Sequence, residues 1–154
     1  MSLDRRIAPD PYDYLPPVAG FTLTSDDIVG GTSTQLRHVH GSAGGENLSP
    51  QLSWADVPEG TQSFVVTCFD PDAPTPSGFW HWCAVDLPGD TRSLDRGAGT
   101  SDATLPPSAR WPLAHNPLPN LLRPPYHRSS AASVRAGPQS GPHPQRFILA
   151  VENP

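Results

Sequence analysis

Residues 63–87 constrain what this chain can fold into more than any other stretch. Ser63-Phe64-Val65-Val66-Thr67-Cys68-Phe69 is dense in the β-branched and aromatic side chains that fit a pleated surface. Phe79-Trp80-His81-Trp82-Cys83-Ala84-Val85-Asp86-Leu87 has the same character and is stopped by Pro88-Gly89. Between the two runs lies Asp70-Pro71-Asp72-Ala73-Pro74-Thr75-Pro76-Ser77-Gly78. Its prolines lack the N–H that a ladder needs, so the loop must be extended and unpaired. Strand, proline-rich loop and strand read as an antiparallel pair, with function expected on the loop.

That pairing gathers chemistry at one sheet end. Asp70 and Asp72 flank a proline where the first strand stops, and His81 follows Asp70 by eleven residues. With the loop between them, Asp70 and His81 are expected to face one another. A carboxylate beside an imidazole favours the charged ring and fixes its tautomer. Such a pair suits either holding an anion or acting as a base and its orienter. Residue types alone do not choose between these and a plain turn, because Asp before Pro is a common turn signal. If Asp70 faces His81 directly, the same register sets Cys68 opposite Cys83.

Elsewhere the signals are shorter. Phe21-Thr22-Leu23-Thr24-Ser25 alternates apolar and polar, as a half-buried strand does. Leu36 to His40 reads as another short strand, with His38 and His40 exposed on one face. A metal pair there lacks a third ligand. Gln51-Leu52-Ser53-Trp54 follows a turn-rich stretch, and Arg146 to Val151 is a last strand. From about Ala103 the periodicity is lost, and no acidic residue occurs between Asp102 and Glu152. Residues 105–140 are therefore expected to be loop or disorder. The two cysteines fit neither a metal spacing nor a disulfide framework, and read as small buried hydrophobes.

Length and charge narrow the function. At 154 residues the chain suits one domain, 1–154, and its 21 prolines favour strands and ordered loops over long helices. A net charge of -5 argues against wholesale nucleic-acid binding. No apolar run is long enough for an integral membrane segment, and no signal-peptide pattern follows Met1, so a cytoplasmic location is expected. Nothing in the pattern asks for a cofactor or a metal. Ser49 and Ser77 have no identifiable base partner, so no catalytic residue is assigned.

Taken together, Asp70-Pro71-Asp72-Ala73-Pro74, then Trp80-His81-Trp82, then Leu87-Pro88-Gly89 resemble the first signature of the phosphatidylethanolamine-binding proteins, in their bacterial Raf-kinase-inhibitor-like branch. Asn47-Leu48-Ser49-Pro50-Gln51-Leu52-Ser53-Trp54 resembles the family's segment just upstream, and the match runs over about 21–104. The resemblance implies a mainly β fold, an antiparallel Greek-key β-sandwich, with a pocket for small anions such as phosphate or a phospholipid headgroup. Carried over, Asp70, Asp72 and His81 form one pocket wall and Pro74 shapes the rim. Trp54 and Trp82 are expected in the core.

The second half departs from that pattern. The family's second signature supplies a His followed by Arg-Tyr at a strand start. Here Gly141-Pro142-His143 is separated from Arg146-Phe147 by Pro144-Gln145, so 141–151 is a remnant of that signature. Two added residues keep strand parity but displace His143 by up to about 7 Å. The atypical 105–140 stretch fits a divergent loop and an out-of-frame reading equally. The family's C-terminal helix is not expected in this chain, and its loss implies an uncovered sheet face, with aggregation, a homodimer or molten behaviour as the expected consequences. The leading functional expectation is a binding module for a small anionic ligand with a regulatory role. The alternatives are a kinase or protease inhibitor whose protein partner meets the pocket surface, and a non-functional truncated family member. A hydrolase or lyase using Asp70 and His81 is weighed against these.

Overall fold

The computed structural model describes residue 14 and residues 19–30, 32–70, 77–110, 128–135 and 146–152, the last two stretches by backbone alone. Two sheets form the fold. In chain order the strands are β1 (Ala19–Gly20), β2 (Thr22–Thr24), β3 (Leu52–Ala55), β4 (Ser63–Asp70), β5 (Phe79–Pro88), β6 (Ser93–Leu94), β7 (Arg128–Arg135) and β8 (Arg146–Glu152). The larger sheet has the order β1-β7-β8-β4-β5 and the smaller β2-β3-β6. Every pairing is antiparallel except the short one between β1 and β7. The chain passes from the small sheet to the large after β3, back at β6 and over again at β7. The fold is thus the mainly β, antiparallel sandwich expected from the sequence.

The core lies between the sheets. Leu52, Trp54 and Leu94 come from the small sheet, and Phe64, Val66, Ala84 and Leu87 from the large one. Alternation puts Leu52 and Trp54 on one face of β3, and Phe64 and Val66 on one face of β4. Phe64 is the centre: it is fully buried, with the Trp54 ring 5.3 Å and the Phe21 ring 6.4 Å from its own. Trp82 packs against this core, as its place in the sequence suggested.

Three expectations need correcting. Leu36–His38 is a turn of 3-10 helix, not a strand. His38 is buried there, its Nδ1 2.9 Å from the Leu48 carbonyl, whereas exposed His40 accepts from the Ser42 N–H. The two imidazoles therefore do not share an exposed face. Within the stretch read as loop, residues 128–135 form β7, held by the ladder to β8; most of 105–140 lies outside the described residues. The third correction is the register of β4 against β5.

That register begins as expected, with Phe64 opposite Leu87. It slips by one residue between Phe64 and Val66, where β5 carries a surplus residue and Asp86 takes φ 58°. It slips again between Cys68 and Phe69, so that Thr67 faces Cys83, Cys68 faces Trp82 and Asp70 faces Phe79. Both slips are β-bulges on β5. Asp70 and His81 are not directly opposed, and neither are the cysteines.

Candidate functional site

The second bulge builds the site. Cys68 pairs with Trp82 and Phe69 with Trp80, leaving His81 as the residue without a cross-strand partner. A bulge bends its strand and re-aims the surplus side chain. Here it turns the imidazole toward Asp70, with Nε2 3.3 Å from Asp70 Oδ2. Asp70 is buried, whereas the His81 side chain keeps 31% of its exposure. The expected Asp70–His81 contact therefore forms, by a different backbone route from the one the spacing suggested.

The neighbours fix both groups. Gly78 turns the chain into β5 with φ 71°, and the Phe69 ring lies over it: a Cβ there would stand 2.5 Å from Phe69 Cζ and 2.8 Å from the Asp70 carbonyl oxygen. Trp80 meets Phe69 with ring centres 4.7 Å apart and planes tilted by 44°. Phe79, 46% exposed, meets the His81 ring edge-on at 5.2 Å. Phe79 thus forms an apolar rim beside the imidazole, a role that sequence reading did not single out.

The pair defines its own chemistry. Asp70 as carboxylate only accepts, so His81 donates through Nε2–H. Nδ1 is then the ring atom left to meet a ligand, as an acceptor in the neutral ring and a donor in the imidazolium. Of the other residues carried over by resemblance, Asp72, Pro74 and His143 lie outside the described residues. Phe69 pairs with Arg146, so β8 begins at the same sheet end as Asp70. Ser49 is buried, its Oγ accepting from the Gly99 N–H at 2.8 Å.

A second polar cluster had no local sequence signal. Asp27 is buried just after β2 and accepts from Arg96 Nε at 3.0 Å and from the Gln51 N–H at 2.8 Å. The Arg96 guanidinium holds its carboxyl below the usual carboxylate range, against the opposing effect of burial, with the Gln51 N–H adding to the lowering. His38 Nε2 stands 3.8 Å from Asp27 Oδ1. Ser25 completes the turn: its Oγ accepts from Asp27 N–H at 3.1 Å and Ile28 N–H at 3.2 Å, and donates to the Gln51 carbonyl. Asp27, Gln51 and Arg96 follow β2, precede β3 and follow β6 respectively, so the cluster joins all three strands of the small sheet at one end.

A two-sheet, mainly antiparallel β-sandwich with a carboxylate–imidazole contact at one end of the β4–β5 pair places the chain in the class of small β-sandwich domains. The sequence profile of the phosphatidylethanolamine-binding proteins matches residues 24–150, and the chain belongs to that family. It is 54% identical over 86 residues to the UPF0098 protein YbhB of Escherichia coli, covering 54% of each chain. To YbcL of the same organism it is 47% identical over 92 residues, 58% of this chain and 50% of that one. The crystal structure of Escherichia coli YbcL, described as a new member of the mammalian PEBP family, superposes with a TM-score of 0.55 at 46% identity, over 58% of this chain and 56% of the other. The chain spans about half the length of the curated relatives it matches.

Proposed function

We propose that this protein binds a small anion, of the phosphate or phospholipid-headgroup kind, at the end of the β4–β5 pair where Asp70 meets Phe79. The observation that carries the reading is the contact of buried Asp70 with half-exposed His81, 3.3 Å apart. Asp70 accepts a hydrogen bond from Nε2–H and holds the ring, so that an imidazolium presents Nδ1–H outward to an anion oxygen. The ligand approaches the far side of the ring, because Asp70 itself repels an anion. Family membership supports the reading, and so does the start of β8 beside β4 at this sheet end, where Arg146 pairs with Phe69. In this reading Asp72, Pro74 and His143 complete the pocket around the pair.

The test is a titration of inorganic phosphate followed by the His81 ring signals in NMR. Saturable shifts are expected, and they vanish in His81→Ala. A flat response from folded protein overturns the proposal. Phosphoethanolamine in place of phosphate separates a headgroup preference from simple anion binding.

A further inference from the structure

A recess lies away from the Asp70–His81 pair, and neither residue lines it. It is an open cleft of about 660 Å³ against β6 and the turns that follow it. That volume falls inside the range of about 300–1,000 Å³ common for small-molecule sites. Its apolar floor is Leu48, Leu94 and Leu105, and its charged wall is Asp95 and Arg96.

The polar groups on that wall are not equivalent. Thr104 Oγ1 is bonded to the Ala98 and Ser101 carbonyls at 2.9 and 2.7 Å, so its proton turns inward. The charges remain as handles. Arg96 commits Nε and Nη2 to Asp27, which fixes the guanidinium plane. Its side chain is still 43% exposed, and among the described residues no bond falls on Nη1. Asp95 is exposed beside it. A dianion is disfavoured here, because Asp27 already neutralises Arg96, Asp26 adds a further negative charge near the guanidinium, and Asp95 is a second carboxylate on the cleft wall. A ligand with one negative and one positive end meets both charges while its apolar part covers the leucines.

We propose that this cleft binds a small zwitterion with an apolar tail, of the aliphatic α-amino-acid class. The carboxylate meets Arg96 Nη1, the ammonium meets Asp95, and the side chain lies on Leu48, Leu94 and Leu105. The site is independent of the Asp70–His81 pair and does not rest on the anion reading.

The test uses the whole chain and three probes of similar shape: L-leucine, isocaproate, which lacks the ammonium, and isoamylamine, which lacks the carboxylate. Backbone amide signals of Gly97, Ala98 and Leu105 report on the cleft in NMR. L-leucine is expected to give saturable shifts and to bind more tightly than either comparator. Asp95→Asn should weaken L-leucine about tenfold, the loss of one charge-assisted contact, and remove its advantage over isocaproate. His81→Ala should leave L-leucine binding unchanged. The proposal is overturned by the absence of saturable shifts, by equal binding of L-leucine and isocaproate, by an Asp95→Asn variant that binds as before, or by loss of L-leucine binding in His81→Ala.

Discussion

Cys68 and Cys83 lie on opposite faces of the large sheet, although both are buried and their strands are hydrogen-bonded neighbours. Cys68 faces Trp82, Thr67 faces Cys83, and the one-residue offset turns the two thiols apart. No disulfide can join them without breaking the ladder. Burial raises both thiols, with the Asp70 carboxylate adding to the effect at Cys68; Cys83 is pushed up to about 12. Neither should react with a disulfide reagent in the native protein, and both should react once it is unfolded. Thiol counting with and without urea checks this. An intramolecular disulfide found by mass spectrometry in the folded, oxidised protein would contradict the register.

Gly78→Ala is expected to damage fold and site together. An alanine would pay for φ 71° and also press on the Phe69 ring and the Asp70 carbonyl. Gly60 is the control, with φ 82° and open space around its Cβ position. Gly60→Ala should cost about 1 kcal/mol in urea unfolding, the left-handed backbone penalty alone. Gly78→Ala should cost clearly more and blunt the phosphate response of His81. Equal losses in the two variants would show that the close approach is relieved elsewhere.

Phe64→Ala should remove about 3–5 kcal/mol, because a fully buried ring leaves a cavity between two sheets that cannot close over it. Equilibrium denaturation measures the loss. A value near 1 kcal/mol would mean that Trp54 and Phe21 collapse into the space.

Acid should reveal the Asp27 cluster. The folded carboxyl ionises below its ordinary range, so between the folded and unfolded values the unfolded chain binds more protons. The contribution is fully present above the unfolded value and is lost as pH falls through the folded one. Asp27→Asn should therefore be less stable than the parent at neutral pH, with the gap closing in strong acid. Urea midpoints of the two proteins across that range give the test. A gap independent of pH would assign the loss to packing rather than to charge.

The sequence revealed most where local composition was decisive. β4, β5 and β8 follow from their β-branched and aromatic runs, β2 from the alternation of Phe21 to Ser25, and the β4–β5 pairing from the prolines between them. The bulges did not show. Along most of β4 both faces are buried, so the alternation that would betray a one-residue slip is absent. The contact of Asp70 with His81 survived that error because the surplus residue is His81 itself. Asp27 and Arg96 stand 69 residues apart in turns, where no periodicity links one charge to another. His38 was misread for a similar reason. Its burial depends on the carbonyl of Leu48, a partner ten residues away that no local pattern marks.

The placement of the Asp27 cluster gives the small sheet a direction of opening. Its three strands are short, and their ladders alone hold few bonds. The knot of Asp27, Gln51 and Arg96 clasps them where β2 and β6 finish and β3 starts. Breathing motions are then expected to enter from the other end, where Thr22 meets Ala55 and an exposed bond from Thr22 Oγ1 to Asp56 is the tie to break, and to run toward the clasp like a zip.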